Sequence, residues 1–302
     1  MSLSSFVEIG DVRLEYVRFP AATPTLPPLV FLHEGLGSVA MWRDFPARVA
    51  AATGAETIVY SRRGYGRSSK LAARREVDYM HREARETLPA LLQSLDLQRP
   101  ILIGHSDGAS IALIHAASFR QVAGLVVMAP HIFVEDLTIT SIEAARDTYR
   151  TTDLGKRLGR YHDDADHAFW GWNDIWLNPA FRAWNIEALL PVIQAPILAI
   201  QGEDDEYGTS AQVTGIRDRV TVPCSVTLLP ACRHSPHRDQ PEATLKAISL
   251  FVNSLALDHP NPGPATKIWL IRKSSGCFEQ FQSAGSMHVR TLSRRYSWSR
   301  RP

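Results

Sequence analysis

The chain has 302 residues, with 33 basic against 31 acidic side chains, a formal net charge of +2, 45% apolar and 21% charged residues. That composition excludes an intrinsically disordered chain, a collagen-like repeat and a disulfide scaffold, and the length suits one large α/β domain or two small ones. The charge is uneven: residues 259–302 hold eight basic groups against one acid, Glu279, for a net +7, which leaves −5 on the preceding residues. Cys224, Cys232 and Cys277 form no CxxC pair, and an odd count argues against a disulfide framework. Met1 to Asp11 lacks a basic stretch followed by an apolar core, and no run of 18 apolar residues occurs. The expected setting is therefore soluble, reduced and cytoplasmic, with nothing spanning a membrane.

In chain order, Phe6–Ile9 and Val12–Phe19 are predicted as a strand meander, followed by the Pro-rich link Pro24 to Pro28. Leu29–Leu32 is a short apolar strand ending in His33-Glu34-Gly35-Leu36-Gly37-Ser38. Met41–Ala52 has helical spacing, Glu56–Tyr60 reads as a strand closed by Ser61-Arg62-Arg63-Gly64-Tyr65-Gly66, and Val77–Leu97 reads as one long helix. Strand and helix then alternate: strands at Ile101–Gly104, Val122–Met128, Pro196–Gln201 and Ser225–Leu229, helices at Ser106–Ser118, Ser210–Arg219 and Pro241–Leu257. Short apolar runs between amphipathic helices predict a mostly parallel sheet covered on both faces. Phe133–Leu190 breaks the alternation, is helical and aromatic-rich, and is expected to form a cap at 133–190 over a core of 1–132 and 191–258. After Leu257 comes the breaker cluster Asp258 to Pro264, and the Ser- and Arg-rich remainder lacks periodicity. The basic tail, 259–302, is expected to be disordered and dispensable, so its charge does not argue for a nucleic-acid partner.

Gly104-His105-Ser106-Asp107-Gly108 fits G-x-S-x-G between an apolar strand and an apolar helix. A turn this tight forces the serine into strained backbone angles and demands small flanking residues. It places Ser106 Oγ at a strand's C-terminal end, beside a helix N-terminus that favours developing negative charge. A serine needs a base. His234 follows the strand Ser225–Leu229 and precedes the last helix, and His237 is its rival. The acid that holds the base in one tautomer is expected after Pro196–Gln201, where Asp205 is first choice in Gly202-Glu203-Asp204-Asp205-Glu206 and Asp204 second. The oxyanion hole is assigned to the backbone N–H groups of Gly35 and Asp107. Glu34 beside it is open to several readings: repelling the developing charge, polarising the substrate, or neutralised by Arg62 or Arg63.

On these pieces (His33–Ser38, Ser61–Ser68, Gly104–Gly108, Gly202–Asp205 and His234) residues 1–258 resemble the α/β-hydrolase-fold enzymes. The chain departs from the family pattern at His33-Glu34, usually His-Gly, and at Arg233-His234, often Gly-His. The resemblance implies a mostly parallel sheet flanked by helices and a hydrolase that acts on a small molecule without a cofactor. It leaves the substrate open, because the fold hosts esterases, lactonases, C–C hydrolases, haloperoxidases and receptors. Hydrolysis of a small carboxylic ester or lactone through an acyl-enzyme is the expected function. A C–C hydrolase or perhydrolase with the same triad, or a slow-turnover ligand-binding receptor, are the alternatives.

Other signals are weaker. Gly64-Tyr65-Gly66 lacks the third glycine of a dinucleotide site, since Ser69 stands there. On a helix, His162 and Asp166, or Asp163 and His167, would share a face as metal ligands, but such a run also suits an acidic helix start, and no metal is expected. Trp170, Trp172, Trp176, Phe181 and Trp184 crowd the insertion. Trp170 and Trp176, with Glu34, Trp42, His131 and Met128, are the candidate pocket walls.

Overall fold

The computed structural model describes residues 4–22 and 26–258. The tail 259–302, to which disorder and dispensability were assigned from sequence, lies outside the described residues. Eight strands form one sheet in the order β1-β2-β4-β3-β5-β6-β7-β8: β1 Ser5–Ile9, β2 Val12–Phe19, β3 Leu29–Leu32, β4 Thr57–Tyr60, β5 Ile101–His105, β6 Gly124–Met128, β7 Ile197–Gly202 and β8 Cys224–Leu229. The pairs β1–β2 and β2–β4 are antiparallel and all the others are parallel. The central strands β3, β4, β5 and β6 are buried at every residue, as expected of parallel strands covered on both faces. The two edge strands, β1 and β8, are instead mostly exposed or half-buried.

The helices are α1 Phe45–Thr53, α2 Tyr79–Arg82, α3 Leu88–Ser94, α4 Asp107–Ser118, α5 Asp136–Thr151, α6 Leu154–Leu158, α7 Ala165–Trp176, α8 Ala211–Arg219, α9 Pro236–Asp239 and α10 Pro241–Asp258. On one face of the sheet, Trp42, Phe45 and Val49 meet Ile248, Val252 and Leu255 of α10. On the other, α4 is buried almost throughout, and α3, α8 and the β6–β7 insertion pack around it. Two expectations are corrected. Met41–Ala52 is not one helix: a 3-10 turn at Val39–Trp42 precedes α1, and Arg43 between them has φ 55°. The expected helix Val77–Leu97 divides into α2, a π turn at Glu83–Thr87 and α3. Pro89 in the first turn of α3 has no N–H to donate, so the regular ladder cannot run through it.

The β6–β7 insertion supplies α5, α6, α7 and two 3-10 turns at Pro179–Ala183 and Glu187–Val192. Its aromatic residues pack mostly on one another: Tyr149 stacks on Phe169 with ring centroids 3.8 Å apart, and Phe181 stacks on Trp184 at 5.6 Å. No helix among the described residues is long and apolar enough to cross a membrane.

Candidate active site

The backbone at Ser106 has φ 52° and ψ −118°, a conformation that a side-chain-bearing residue adopts only at a cost of about 1–3 kcal/mol. The neighbouring glycines make that turn possible. A Cβ on Gly104 would overlap the Gly108 carbonyl and the Ala109 backbone, and one on Gly108 would overlap the main-chain carbonyl of Leu32. The elbow is thus wedged between β5 and β3. Its serine stands at the top of the sheet, at the N-terminus of α4.

Two other strand ends converge there. His234 Nε2 lies 3.0 Å from Ser106 Oγ, and its Nδ1 lies 2.8 Å from Asp205 Oδ1. Asp205 follows β7 and is buried, whereas Asp204 is exposed. The Oδ1 atom of Asp205 also accepts from the Tyr207 and Gly208 amides at 2.9 and 3.3 Å, and Oδ2 accepts from Gln201 Nε2 at 3.0 Å. Both oxygens therefore face only donors. Burial disfavours the charged carboxyl, but the charge and hydrogen bond of His234 and the amide of Tyr207 outweigh it and lower the Asp205 pKa. Burial likewise opposes charge on His234, and Asp205, with Glu206 and Glu34 behind it, raises that histidine above its ordinary 6.5. Arg233, the departure from the family pattern, points away and pairs with Glu206 at 3.0 Å.

The two assigned oxyanion donors are also placed by their surroundings. Asp107 is the first residue of α4, so its N–H has no acceptor within the helix. The Glu34 carbonyl is engaged from behind, by His33 Nδ1 at 2.7 Å and by Arg62 at 2.8 Å. In a trans peptide the following N–H points the opposite way, which leaves that of Gly35 facing away from this lock. A Cβ on Gly35 would overlap the Trp172 indole, so only glycine lets the insertion come this close.

The remaining candidates divide. His131 and Trp176 are brought to the triad: His131 lies with ring centroids 5.8 Å from His234 and 5.0 Å from Trp176. Burial, then the adjacent His234, push His131 down to about 4, so it is a neutral wall. Trp176 donates to Asp107 Oδ1 at 3.2 Å, and Tyr79 donates to Oδ2 at 2.7 Å. Glu34 turns its carboxylate to His105, 3.5 Å away, and to Arg238, 3.7 Å away. Arg62 takes its carbonyl oxygen, not its carboxylate. Trp42 and Met128 lie instead in the apolar cluster on the α1 and α10 face of the sheet. Trp42 meets the ring of His237 at 4.7 Å there, so this rival histidine is a buried filler. Trp170 packs on Tyr149 and Phe169 within the insertion.

The run His162 to His167 is not one helix. Residues 162–164 precede α7, and Asp164 caps it by accepting from the His167 amide at 3.0 Å. His162 accepts from the Gly66 amide at 2.9 Å and donates to the Leu36 carbonyl at 2.9 Å, bracing the oxyanion loop. Sequence reasoning missed Tyr79, Tyr207 and the His105 contact with His234, and it named Trp172 only among the insertion's crowded aromatics. Each depends on elements far apart in the chain, for which spacing holds no signal.

The sequence profile of the alpha/beta hydrolase family matches residues 29–247. A 2-(acetamidomethylene)succinate hydrolase from Mesorhizobium japonicum is 25% identical over 277 residues, covering 83% of this chain and 96% of that protein. A carboxylesterase structure from the thaumarchaeon Nitrososphaera gargenis superposes with a TM-score of 0.70 at 16% identity, over 84% of this chain and 100% of the other. The enol-lactonase from Burkholderia xenovorans gives a TM-score of 0.64 at 17% identity, over 82% and 100%. The eight-stranded, mostly parallel sheet flanked by helices is the fold those enzymes share, and the chain is a hydrolase belonging to the alpha/beta hydrolase family.

Proposed function

We propose that the protein is a serine hydrolase that cleaves a small carboxylic ester or lactone through an acyl-enzyme. The observation that carries this reading is the continuous contact from Asp205 through His234 to Ser106, at 2.8 and 3.0 Å, on a strained elbow. Ser106 Oγ attacks the carbonyl carbon as its proton passes to His234 Nε2, and the carbonyl π pair moves to oxygen. The N–H groups of Asp107 and Gly35 receive that oxyanion. Asp205 holds the Nδ1–H tautomer and stabilises the imidazolium. Collapse breaks the bond to the leaving alcohol, which takes the proton from Nε2. Water then attacks the acyl-enzyme, gives a proton to Nε2, and the second collapse returns it to Ser106. Every proton transfer is carried by the chain's own residues.

The insertion acts in this reading as a cap, with Trp176, Trp172 and His131 forming an apolar wall over the nucleophile. The two similar enzymes named for a carboxylesterase and an enol-lactonase support ester-type bonds as the first substrates to try. A panel of chromogenic esters of increasing acyl length, with lactones and a vinylogous diketone, tests the reading with wild type and Ser106→Ala. Ester or lactone turnover that is abolished in Ser106→Ala is the expected result. Equal turnover by the two proteins would overturn it, and preference for the diketone would make the protein a C–C hydrolase.

A further inference from the structure

One pair of side chains at the site, Glu34 and His105, is unused by the reaction steps above. His105 Nε2 lies 2.7 Å from the main-chain carbonyl of His234. A carbonyl only accepts, so Nε2 carries the proton. The other ring nitrogen, Nδ1, has no hydrogen-bond partner and lies 3.5 Å from Glu34 Oε2. The Nδ1 edge of the ring thus faces the Glu34 carboxylate. Glu34 is folded back to make this contact: a Cβ on Gly37 would overlap its Oε2. Trp42 and His237 close the far side, with centroids 6.2 and 5.0 Å from the His105 ring, and shield the pair from water.

Resting on the serine-hydrolase reading, we propose that Glu34 and His105 form a positioning pair for the base: Glu34 holds the His105 ring, and His105 fixes the main chain of His234. The backbone of His234 is gripped on both sides. Its N–H donates to Glu206 Oε2 at 3.1 Å, and its C=O accepts from His105. Glu206 adjoins the triad acid and His105 adjoins the nucleophile, so each grip refers the base to the residue it must meet. The pair also joins three loops that meet nowhere in sequence, because Glu34 sits in the oxyanion loop and Arg238, 3.7 Å from its carboxylate, sits in α9 beyond the base. Placement within a fraction of an ångström matters for proton transfer, since misplacement by about 1 Å costs on the order of 10²-fold in rate.

The test uses His105→Ala, His105→Gln, Glu34→Gln and Ser106→Ala in the full chain, with kcat and KM for the best chromogenic ester measured across pH 5–9. The amide N–H of glutamine reaches about where Nε2 stands and can donate to the same carbonyl. His105→Ala is expected to lower kcat about tenfold or more with KM within about twofold, and His105→Gln to recover most of that loss. Glu34→Gln keeps the shape and removes one anion near His234. The groups facing His234 (Asp205, Glu206, His131 and Tyr207) and those facing His105 and Glu34 (His237 and Arg238) are unchanged in it. With one anion fewer the imidazolium is less favoured, so the acid limb of kcat/KM moves to lower pH. Thermal melts show whether His105→Ala folds; if it does not, His105→Gln and Glu34→Gln decide. A His105→Gln enzyme as impaired as a folded His105→Ala, or with less than a third of wild-type kcat, overturns the proposal, as does an unmoved acid limb in Glu34→Gln. Ser106→Ala separates the two readings: if it stays active the serine mechanism fails, and if it is dead while the other variants behave as wild type, only the positioning pair fails.

Discussion

Asp205→Asn is the sharpest probe of the triad, because the surroundings of Asp205 dictate how asparagine must sit. Three donors converge on Oδ1: His234 Nδ1, and the amides of Tyr207 and Gly208. An NH₂ placed there would face three N–H groups, so the asparagine oxygen must take the Oδ1 position. The NH₂ then falls at Oδ2, where Gln201 Nε2 now donates from 3.0 Å. Gln201 can turn, since its Oε1 has no hydrogen-bond partner, at the expense of its bond to the Gly208 carbonyl. His234 therefore keeps its Nδ1–H tautomer and loses only the carboxylate charge. An ion pair about 4 Å between charge centres is worth about 4 kcal/mol at an effective dielectric of 20. That corresponds to about 10³-fold in kcat/KM. The same loss lowers the pKa of His234. In wild type this group is raised above 6.5, so the acid limb of kcat/KM should have its midpoint above that value; in Asp205→Asn the midpoint should fall. Steady-state kinetics on a short-chain chromogenic ester from pH 4 to 9 read both effects. Asp204→Asn, at an exposed side chain, should stay within about twofold of wild type. An Asp205→Asn enzyme within tenfold of wild type, or one whose acid limb rises, would refute the assignment of Asp205 as the triad acid.

Two further substitutions test the packing that supports the site. Trp176→Phe removes the 3.2 Å bond to the Asp107 carboxylate and part of a fully buried ring, and should cost about 2–3 kcal/mol in chemical denaturation; an unchanged unfolding midpoint would show that this tether contributes nothing. Gly108→Ala puts a methyl group into the Leu32 carbonyl, backbone against backbone, and should destabilise by about 3 kcal/mol or more or prevent folding; a soluble variant with wild-type melting would mean that the elbow is not wedged against β3.

Much of this architecture was legible in the sequence for a local reason. A buried parallel strand is a short apolar run, and an elbow needs small residues around a serine, so Gly104 to Gly108 announces its own geometry. The order of strand ends likewise points to Asp205 and His234, each just past an apolar run. Local pattern failed where the deciding partner is remote. Glu34 was open because its carboxylate could go to Arg62, Arg63 or the substrate; folding brings His105 and Arg238 to it instead. The run from His162 to His167 suits an acidic helix start or metal ligands equally by spacing; folding places the amides of Gly66 and Leu71 against the two histidine ring nitrogens. Trp42 and Trp176 are equally aromatic in sequence, yet the side of the sheet on which each falls separates a core residue from a wall of the site.

The sequence by itself thus determined most of the strands, the elbow around Ser106, the short stretches that offer a base and an acid, and a helical insertion, because each is encoded in side chains within a few residues of one another. Only the tertiary structure decided which carboxylate and which histidine lie within hydrogen-bond reach of one another and of Ser106, how the insertion meets Gly35 and Asp107, and what Glu34 faces. Those are distances between residues far apart in the chain, 128 positions for His234 and Ser106. They are set by how the sheet stacks its strands and not by the order of the residues along it.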